Sequence, residues 1–385
     1  MAISASQPFA LTQGILFTGE AFVEGHSLLL NKGHVLDLVA GDKVPDSFIS
    51  IPCPGSILAP GFIDCQVNGG GNVLFNATPD SDSVLAIAAA HRKTGTTRLL
   101  PTIITDAPDV THAAIAAMHE ARKRDASVLG IHIEGPHISV EQKGTHALAY
   151  IRALTESDLP FYKPVMDECV LVTLAPENAS FELIQALAVQ GTLVALGHTA
   201  AAPEALRQAL AAGATGFTHL YSAMGPIASR APGPAGTALD DQTSWCGMIG
   251  DGQHVAPELM RIAMRAKPEN KLYFVSDAMA AAGADKPEPF LLNGDMIYPM
   301  DGACRHADGR LAGALMTLGE IVSYAIRDLK LAPERALRMA STIPAAFLGV
   351  DRTLGKLLPG YKADIVALDH FFRAQKVWRD GKQVV

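Results

Sequence analysis

Four residues in this chain could do chemistry together. Glu134 ends the apolar run Ile131-His132-Ile133-Glu134 and is followed at once by Gly135-Pro136-His137, which places a lone carboxylate at the rim of a strand. His198, His219 and Asp277 end later apolar runs in the same way. Any one of them alone reads as a hydrogen-bonded core or loop residue. Four such strand ends are less easily an accident. Two imidazoles and a carboxylate form a recurrent catalytic zinc set that leaves a coordination position for water. A metal so held lowers the pKa of water towards ~7 and polarises a bound carbonyl, and a further Asp beside it can serve as general base.

Such side chains must be carried by a repeated strand architecture, and the sequence supplies one. Strand-like stretches run over Ile57 to Val67, Thr96 to Ile104, Val128 to Glu134, Val170 to Ala175, Leu193 to His198, Gly216 to Leu220, Trp245 to Gly250 and Leu272 to Asp277. Ala- and Leu-rich helical patterns fill most of the gaps: Asp82 to Lys93, Val110 to Arg124, Phe181 to Gln190, Pro203 to Ala212, Pro257 to Ala266 and Thr317 to Leu329, with Pro333 to Ala340 after them. Pro203 and Pro257 open first turns, and Gly191 and Gly213 stand just past helix ends. Eight alternating units predict an α/β fold, a closed (β/α)8 TIM-type barrel, ahead of a doubly wound sheet. No G-x-G-x-x-G follows a first strand and no phosphate-binding Walker loop is present.

The two ends of the chain read differently. Gly14 to Thr18, Ser27 to Leu30 and His34 to Val39, with a turn at Asn31-Lys32-Gly33, are short strands, as are Ala363 to Asp369 and Lys376 to Val385 with their own turn. The expected organisation is a small β-sandwich-like domain from residues 1–57 and 355–385 flanking a barrel at 58–354. Residues 285–312, with Leu292-Asn293-Gly294-Asp295 and Ala307-Asp308-Gly309-Arg310, predict a hairpin-bearing insertion over the barrel pocket.

Composition narrows the function classes. Of 385 residues, 49% are hydrophobic and 18% charged, with 31 basic against 39 acidic side chains and no basic block. A general nucleic-acid-binding surface is therefore not expected. Five scattered cysteines without a C-x-x-C pair fit neither a disulfide framework nor a cysteine metal site, which makes the reducing cytoplasm the expected location. No signal peptide is read, and no apolar run approaches the ~18 residues of a membrane span.

The contexts of these residues carry a resemblance. Ala59-Pro60-Gly61-Phe62-Ile63-Asp64 and Pro359-Gly360-Tyr361-Lys362-Ala363-Asp364 are similar to signatures of the amidohydrolase superfamily. Ile133-Glu134-Gly135-Pro136-His137, Lys143-Gly144-Thr145-His146, Leu196-Gly197-His198-Thr199, Thr218-His219-Leu220-Tyr221 and Val275-Ser276-Asp277-Ala278 resemble the N-acetylglucosamine-6-phosphate deacetylases within it. The resemblance runs over nearly the whole chain. Most superfamily members have His-x-His where this chain has Gln66-Val67-Asn68, so it is similar to a single-metal form. Neutral amides are weak ligands beside imidazole. The resemblance implies one divalent metal per subunit, zinc first and iron or cobalt compatible with the same N/O set, held by Glu134, His198 and His219, with Gln66 and Asn68 hydrogen bonding nearby.

It further implies Asp277 as general acid/base, His146 as the group that polarises the carbonyl, and an N-acetyl amino sugar phosphate as substrate. The phosphate would be met by Arg230 and His254, a pair that in this family reaches the pocket from a neighbouring subunit, which implies a homodimer with shared sites. Where the family shows Asn-Ala-Met, this chain has Ser222-Ala223-Met224. Ser222 removes an amide donor from the phosphate end and leaves the strictness of the phosphate requirement open. N-acetylgalactosamine 6-phosphate or an unphosphorylated sugar are the alternative substrates, and a catalytically inactive binding protein is the alternative class.

Overall fold

The computed structural model describes residues 7–385. Eight strands form one sheet: β1 (Phe62–Val67), β2 (Thr96–Ile104), β3 (Gly130–Glu134), β4 (Cys169–Leu174), β5 (Leu193–Leu196), β6 (Gly216–Phe217), β7 (Trp245–Ile249) and β8 (Leu272–Val275). Their spatial order follows the chain from β1 to β8. Pairing is parallel from β2 to β8. The ring meets itself where Val67 bridges Ala278 in parallel and the Asp277 amide donates to the Gln66 carbonyl at 3.0 Å. The eight-unit barrel expected from the sequence is thus present.

Strands buried on both faces explain why the sequence reads as near-continuous apolar runs, since a parallel barrel has helices outside and packed side chains within. All nine residues of β2 and all six of β4 are buried. Helices Ser81–Arg92, Pro108–Arg124, Phe181–Val189, Pro203–Ala211 and Pro257–Ala266 fall where the apolar periodicity puts them. Between β3 and β4 the connection is made by short 3-10 turns at Leu148–Tyr150 and Glu156–Tyr162. Two helices, Gly233–Asp240 and Thr342–Phe347, escaped the pattern; the first opens on Gly233-Pro234, which reads as loop, yet Pro sits where the first turn needs no amide donor.

Two corrections concern strand ends. The predicted first strand, Ile57 to Val67, is two: Ile57–Pro60 belongs to a separate six-stranded sheet and only Phe62–Val67 to the barrel. The break is at Gly61, where a β-carbon would stand 2.3 Å from Thr97, so the chain passes closer than any side chain allows. The predicted strands to His198, Leu220 and Asp277 stop two residues before the site residues, at Leu196, Phe217 and Val275. His198, His219 and Asp277 have φ of 48°, 30° and 51°, a left-handed backbone that no strand accommodates.

The chain divides into two compact units, one taking the described residues up to Asp64 with Ala89–Arg98 and Thr317–Val385, the other Cys65–Ala88 with Leu99–Met316. In the first, a four-stranded sheet (Phe9–Thr12, His26–Asn31, His34–Ala40, Ile49–Pro52) and the six-stranded sheet from both chain ends enclose a core that includes Leu11, Leu28, Leu58, Ile365 and Trp378. This is the sandwich expected from the termini. Inside the same unit, Arg98 is buried and binds Asp364 through Nε at 2.6 Å and Asp380 through Nη2 at 2.8 Å. In the second unit, Phe290–Leu292, Asp295–Met300, Ala303–His306 and Leu311–Ala314 form a four-stranded antiparallel sheet, so the predicted hairpin insertion is real. No helix among the described residues is long and apolar enough to cross a membrane.

Candidate active site and metal centre

The C-terminal ends of the barrel strands converge on one open cavity of about 180 Å³. Glu134 closes β3, His198 and His219 follow β5 and β6, and Asp277 follows β8. Glu134, His198 and His219 are nearly inaccessible, at 2%, 5% and 3% exposed. His219 Nε2 lies 2.8 Å from Glu134 Oε1, His198 Nε2 lies 3.2 Å from the same oxygen, and the two nitrogens are 3.1 Å apart. Three Lewis-basic atoms therefore form a small triangle, and this is the one such His/Cys/Asp/Glu cluster among the described residues. Tetrahedral coordination at ~2.1 Å sets ligand atoms roughly 3.4 Å apart, so the triangle matches one face of a divalent ion's shell with little movement.

The surrounding bonds orient these atoms. His198 Nδ1 lies 2.7 Å from the Gln142 carbonyl, which can only accept, so Nδ1 carries the proton and Nε2 keeps its lone pair for the centre. His219 Nδ1 is buried without a partner among the described residues. Burial opposes ionisation of Glu134, but the imidazoles of His198 and His219 that face it outweigh it and hold the carboxyl well below its usual range.

Gln66 and Asn68 are placed as donors. Gln66 Nε2 donates to Glu134 Oε1 at 3.1 Å and to Asp277 Oδ1 at 3.0 Å, and Asn68 Nδ2 donates to Asp277 Oδ1 at 2.7 Å. Amide nitrogens turned to two carboxylates offer a metal no lone pair. Asp277 is thus held by one oxygen, while Oδ2 makes no hydrogen bond among the described residues. Its low-dielectric surroundings, reinforced by the negative charge of Glu134, push the Asp277 carboxyl above its ordinary value.

His146 packs against His198 with ring centroids 4.4 Å apart. The Thr105 backbone amide donates to His146 Nδ1 at 3.3 Å, and the Thr105 hydroxyl lies 2.8 Å away. A backbone amide can only donate, so Nδ1 is an acceptor and the ring proton of a neutral His146 sits on Nε2. Burial, with the neighbouring His198, lowers the pKa of His146 well below the usual imidazole value and keeps it neutral.

Ser222, Ala223 and His254 line the same cavity, with Leu311, Ala312 and Gly313 of the insertion on another wall. The structure therefore gathers every site residue read from the sequence except one. Arg230 is exposed on the turn where Ala228 and Ala231 bridge, and it does not line this cavity. The expectation that Arg230 and His254 act as a pair from a neighbouring subunit is corrected accordingly: His254 follows β7 in its own chain and lines its own chain's pocket. Thr105, Gln142 and Asp251 were not read as site residues. Gln142 works through its carbonyl, Thr105 through its amide and hydroxyl, and Asp251 through a residue three positions away, which residue type alone does not signal. The Asp251-Gly252-Gln253-His254 run carried the only hint, an acid one helical turn from a histidine.

Comparison with known proteins agrees with this geometry. Residues 57–384 match the amidohydrolase family. An N-acetylgalactosamine-6-phosphate deacetylase of Shewanella sp. (strain ANA-3) is 40% identical over 84% of this chain and 82% of its own length. An N-acetylglucosamine-6-phosphate deacetylase of Mus musculus is 38% identical over 86% of this chain and 84% of its own. The crystal structure of N-acetylglucosamine-6-phosphate deacetylase from Pasteurella multocida superposes with a TM-score of 0.93 at 34% identity, covering 98% of this chain and 99% of that one.

Proposed function

The chain belongs to the amidohydrolase family, and within it we propose that it hydrolyses the acetamide of N-acetyl-D-glucosamine 6-phosphate to D-glucosamine 6-phosphate and acetate. The observation that carries this reading is the triangle of Glu134 Oε1, His198 Nε2 and His219 Nε2 beside a carboxylate, Asp277, pinned by one oxygen only. A divalent cation held by these three residues, zinc first among the candidates, supplies a Lewis acid for the carbonyl and a source of hydroxide at neutral pH. One such ion per subunit suits the chain, since Gln66 and Asn68 face carboxylates as donors.

The chain's own groups do the rest. Asp277 Oδ2 takes the proton of the attacking water while Gln66 and Asn68 keep the carboxylate from rotating. A carboxylate whose pKa is raised both accepts that proton and releases it to the departing amine, so one group serves both halves of the hydrolysis. His146, protonated on Nε2, donates to the carbonyl oxygen as its negative charge grows. A C–O bond to water forms, the C–N bond breaks, and the water proton leaves with the nitrogen.

The galacto epimer is a second reading because the Shewanella relative, whose name specifies N-acetylgalactosamine 6-phosphate, is 40% identical. A panel of both 6-phosphates and both unphosphorylated sugars, assayed for released acetate at measured metal content, tests the proposal. The expected result is the highest kcat/KM on N-acetylglucosamine 6-phosphate. Equal kcat/KM without the phosphate would remove it from the substrate, and no turnover of any member by metal-loaded protein would remove the activity.

We also propose a homodimer in which Arg230 serves the partner's pocket. In support, Arg230 is exposed away from its own pocket, next to the exposed Ile227. Mixing an Arg230→Ala protein with a Glu134→Gln protein tests it: shared sites predict recovered activity in the mixture, and no recovery despite confirmed subunit exchange counts against them.

A further inference from the structure

Asp251 is fully buried, with a side chain 0% exposed, yet among the described residues it makes no bond to a lysine or arginine. Its Oδ1 accepts from the backbone amides of Gln253 and His254, both at 2.9 Å, which builds the turn after β7. Its Oδ2 lies 2.7 Å from His254 Nδ1. A turn needs only the first oxygen. Burying the second is costly unless it too is bonded, and the imidazole is what bonds it. Burial opposes ionisation of Asp251, but the His254 hydrogen bond prevails and holds the carboxyl below its ordinary value, so it is negative at neutral pH.

A carboxylate accepts only. Nδ1 of His254 therefore carries a proton and Nε2 is the atom left for the cavity. That cavity is lined by two carboxylates, Glu134 and Asp277, and by no lysine or arginine among the described residues. His198 and His219 turn Nε2 to Glu134 and His146 is tied to Thr105, so His254 is the remaining group that can carry positive charge to an anionic ligand. Ser222 lines the same cavity, and its hydroxyl is buried without a partner among the described residues.

We propose that Asp251 is a positioning residue for the anionic end of the substrate: it fixes the His254 ring through Nδ1 and provides the counter-charge with which His254, as an imidazolium, donates from Nε2 to a phosphate monoester. This rests on the phosphosugar reading above. A charged donor binds phosphate roughly twice as strongly as a neutral one. Asp251 itself touches no substrate.

Asp251→Asn tests the proposal, because it keeps an oxygen for the turn but presents N–H to Nδ1, which reverses the tautomer and removes the counter-charge. The expected result is a rise of about tenfold in KM for the phosphorylated sugar and in the Ki of inorganic phosphate, the size of losing charge assistance to one hydrogen bond. kcat should stay within about threefold and KM for the unphosphorylated sugar within about twofold, at unchanged metal content and circular dichroism. Asp251→Ser, which also leaves a turn acceptor, should behave alike and serves if the Asn variant does not fold. In the double variant with His254→Gln the two losses should not add. Unchanged KM and Ki, an equal rise for both sugars, or full additivity would overturn the proposal. Wild-type protein inactive on every phosphosugar would overturn the functional reading instead.

Discussion

Replacing Glu134 by Gln changes one atom's identity and removes one charge at the centre of the triangle. The side chain is 2% exposed and its Oε1 faces His198 Nε2, His219 Nε2 and Gln66 Nε2 within 3.2 Å, so Gln fits the space. What it loses is the anionic donor of the set. Structural four-ligand zinc sites bind with about 10–16 kcal/mol, roughly 3 kcal/mol per ligand, which is on the order of 100-fold in metal Kd. The same loss reads out thermally. Metal at about 100 times its Kd stabilises the native state by about 2.7 kcal/mol, which for a chain of this length is a Tm shift of roughly 3 °C. The expected outcome is that wild-type protein loses ~3 °C on chelation and that Glu134→Gln, at the same free metal, shows almost none of that difference. Elemental analysis after equilibration with a chelator buffer gives the affinity directly. A variant with wild-type metal content, the full thermal shift and wild-type activity would refute the ligand role of Glu134 and with it the whole centre.

Thr105→Val removes the hydroxyl 2.8 Å from His146 Nδ1 but leaves the backbone donor, and steady-state kinetics should show kcat lowered by up to about tenfold with KM within about twofold. Arg98→Ala leaves Asp364 buried without its guanidinium, and urea unfolding should show a loss of about 3–5 kcal/mol. His137 is buried between Tyr162 Oη and the Arg152 carbonyl, and burial lowers its pKa to about 4 from an ordinary 6.5. Between those values the unfolded chain binds a proton that the folded one refuses, so stability falls as pH drops from 6.5 towards 4, by about 3 kcal/mol in all. Denaturant titrations of metal-free protein across that range should show the slope, and His137→Gln should reduce it by one proton.

Much of this was legible because parallel barrels expose their design in sequence. Strands buried on both faces write themselves as apolar runs, and each run that ends in a polar residue marks the catalytic rim. Glu134, His198, His219 and Asp277 were found that way, and the structure brings all four to one cavity. Gly61 was not legible as a break between two sheets, because a glycine inside an apolar run looks the same whether it bends the chain or lets a neighbour approach. The Gly233–Asp240 helix was hidden by its own first turn. Arg230 and His254 looked alike as cation candidates in loops, and only the path of the chain after β7 separates them. Gln142 acts through its carbonyl, a group that every residue has, and Thr105 through its amide as well as a hydroxyl that nothing in the sequence ties to His146.

The way the rim residues leave their strands explains why the site needs these residues in these places. Glu134 is the last residue of its strand and delegates the turn to Gly135, whose φ of 81° costs a glycine nothing. His198, His219 and Asp277 are followed by no glycine and take the left-handed backbone themselves. For a non-glycine residue that conformation costs on the order of 1–3 kcal/mol each. The cost is met by bonds made at the same residues: the Gln142 carbonyl on His198, the Glu134 carboxylate on His219, and Gln66 and Asn68 on Asp277. These residues therefore stabilise one another's backbone as well as one another's charge. Substitutions at Gln66 or Asn68 should consequently loosen Asp277 before they touch the metal, lowering kcat at full metal occupancy, and a loss of metal that precedes any loss of kcat would contradict this division of roles.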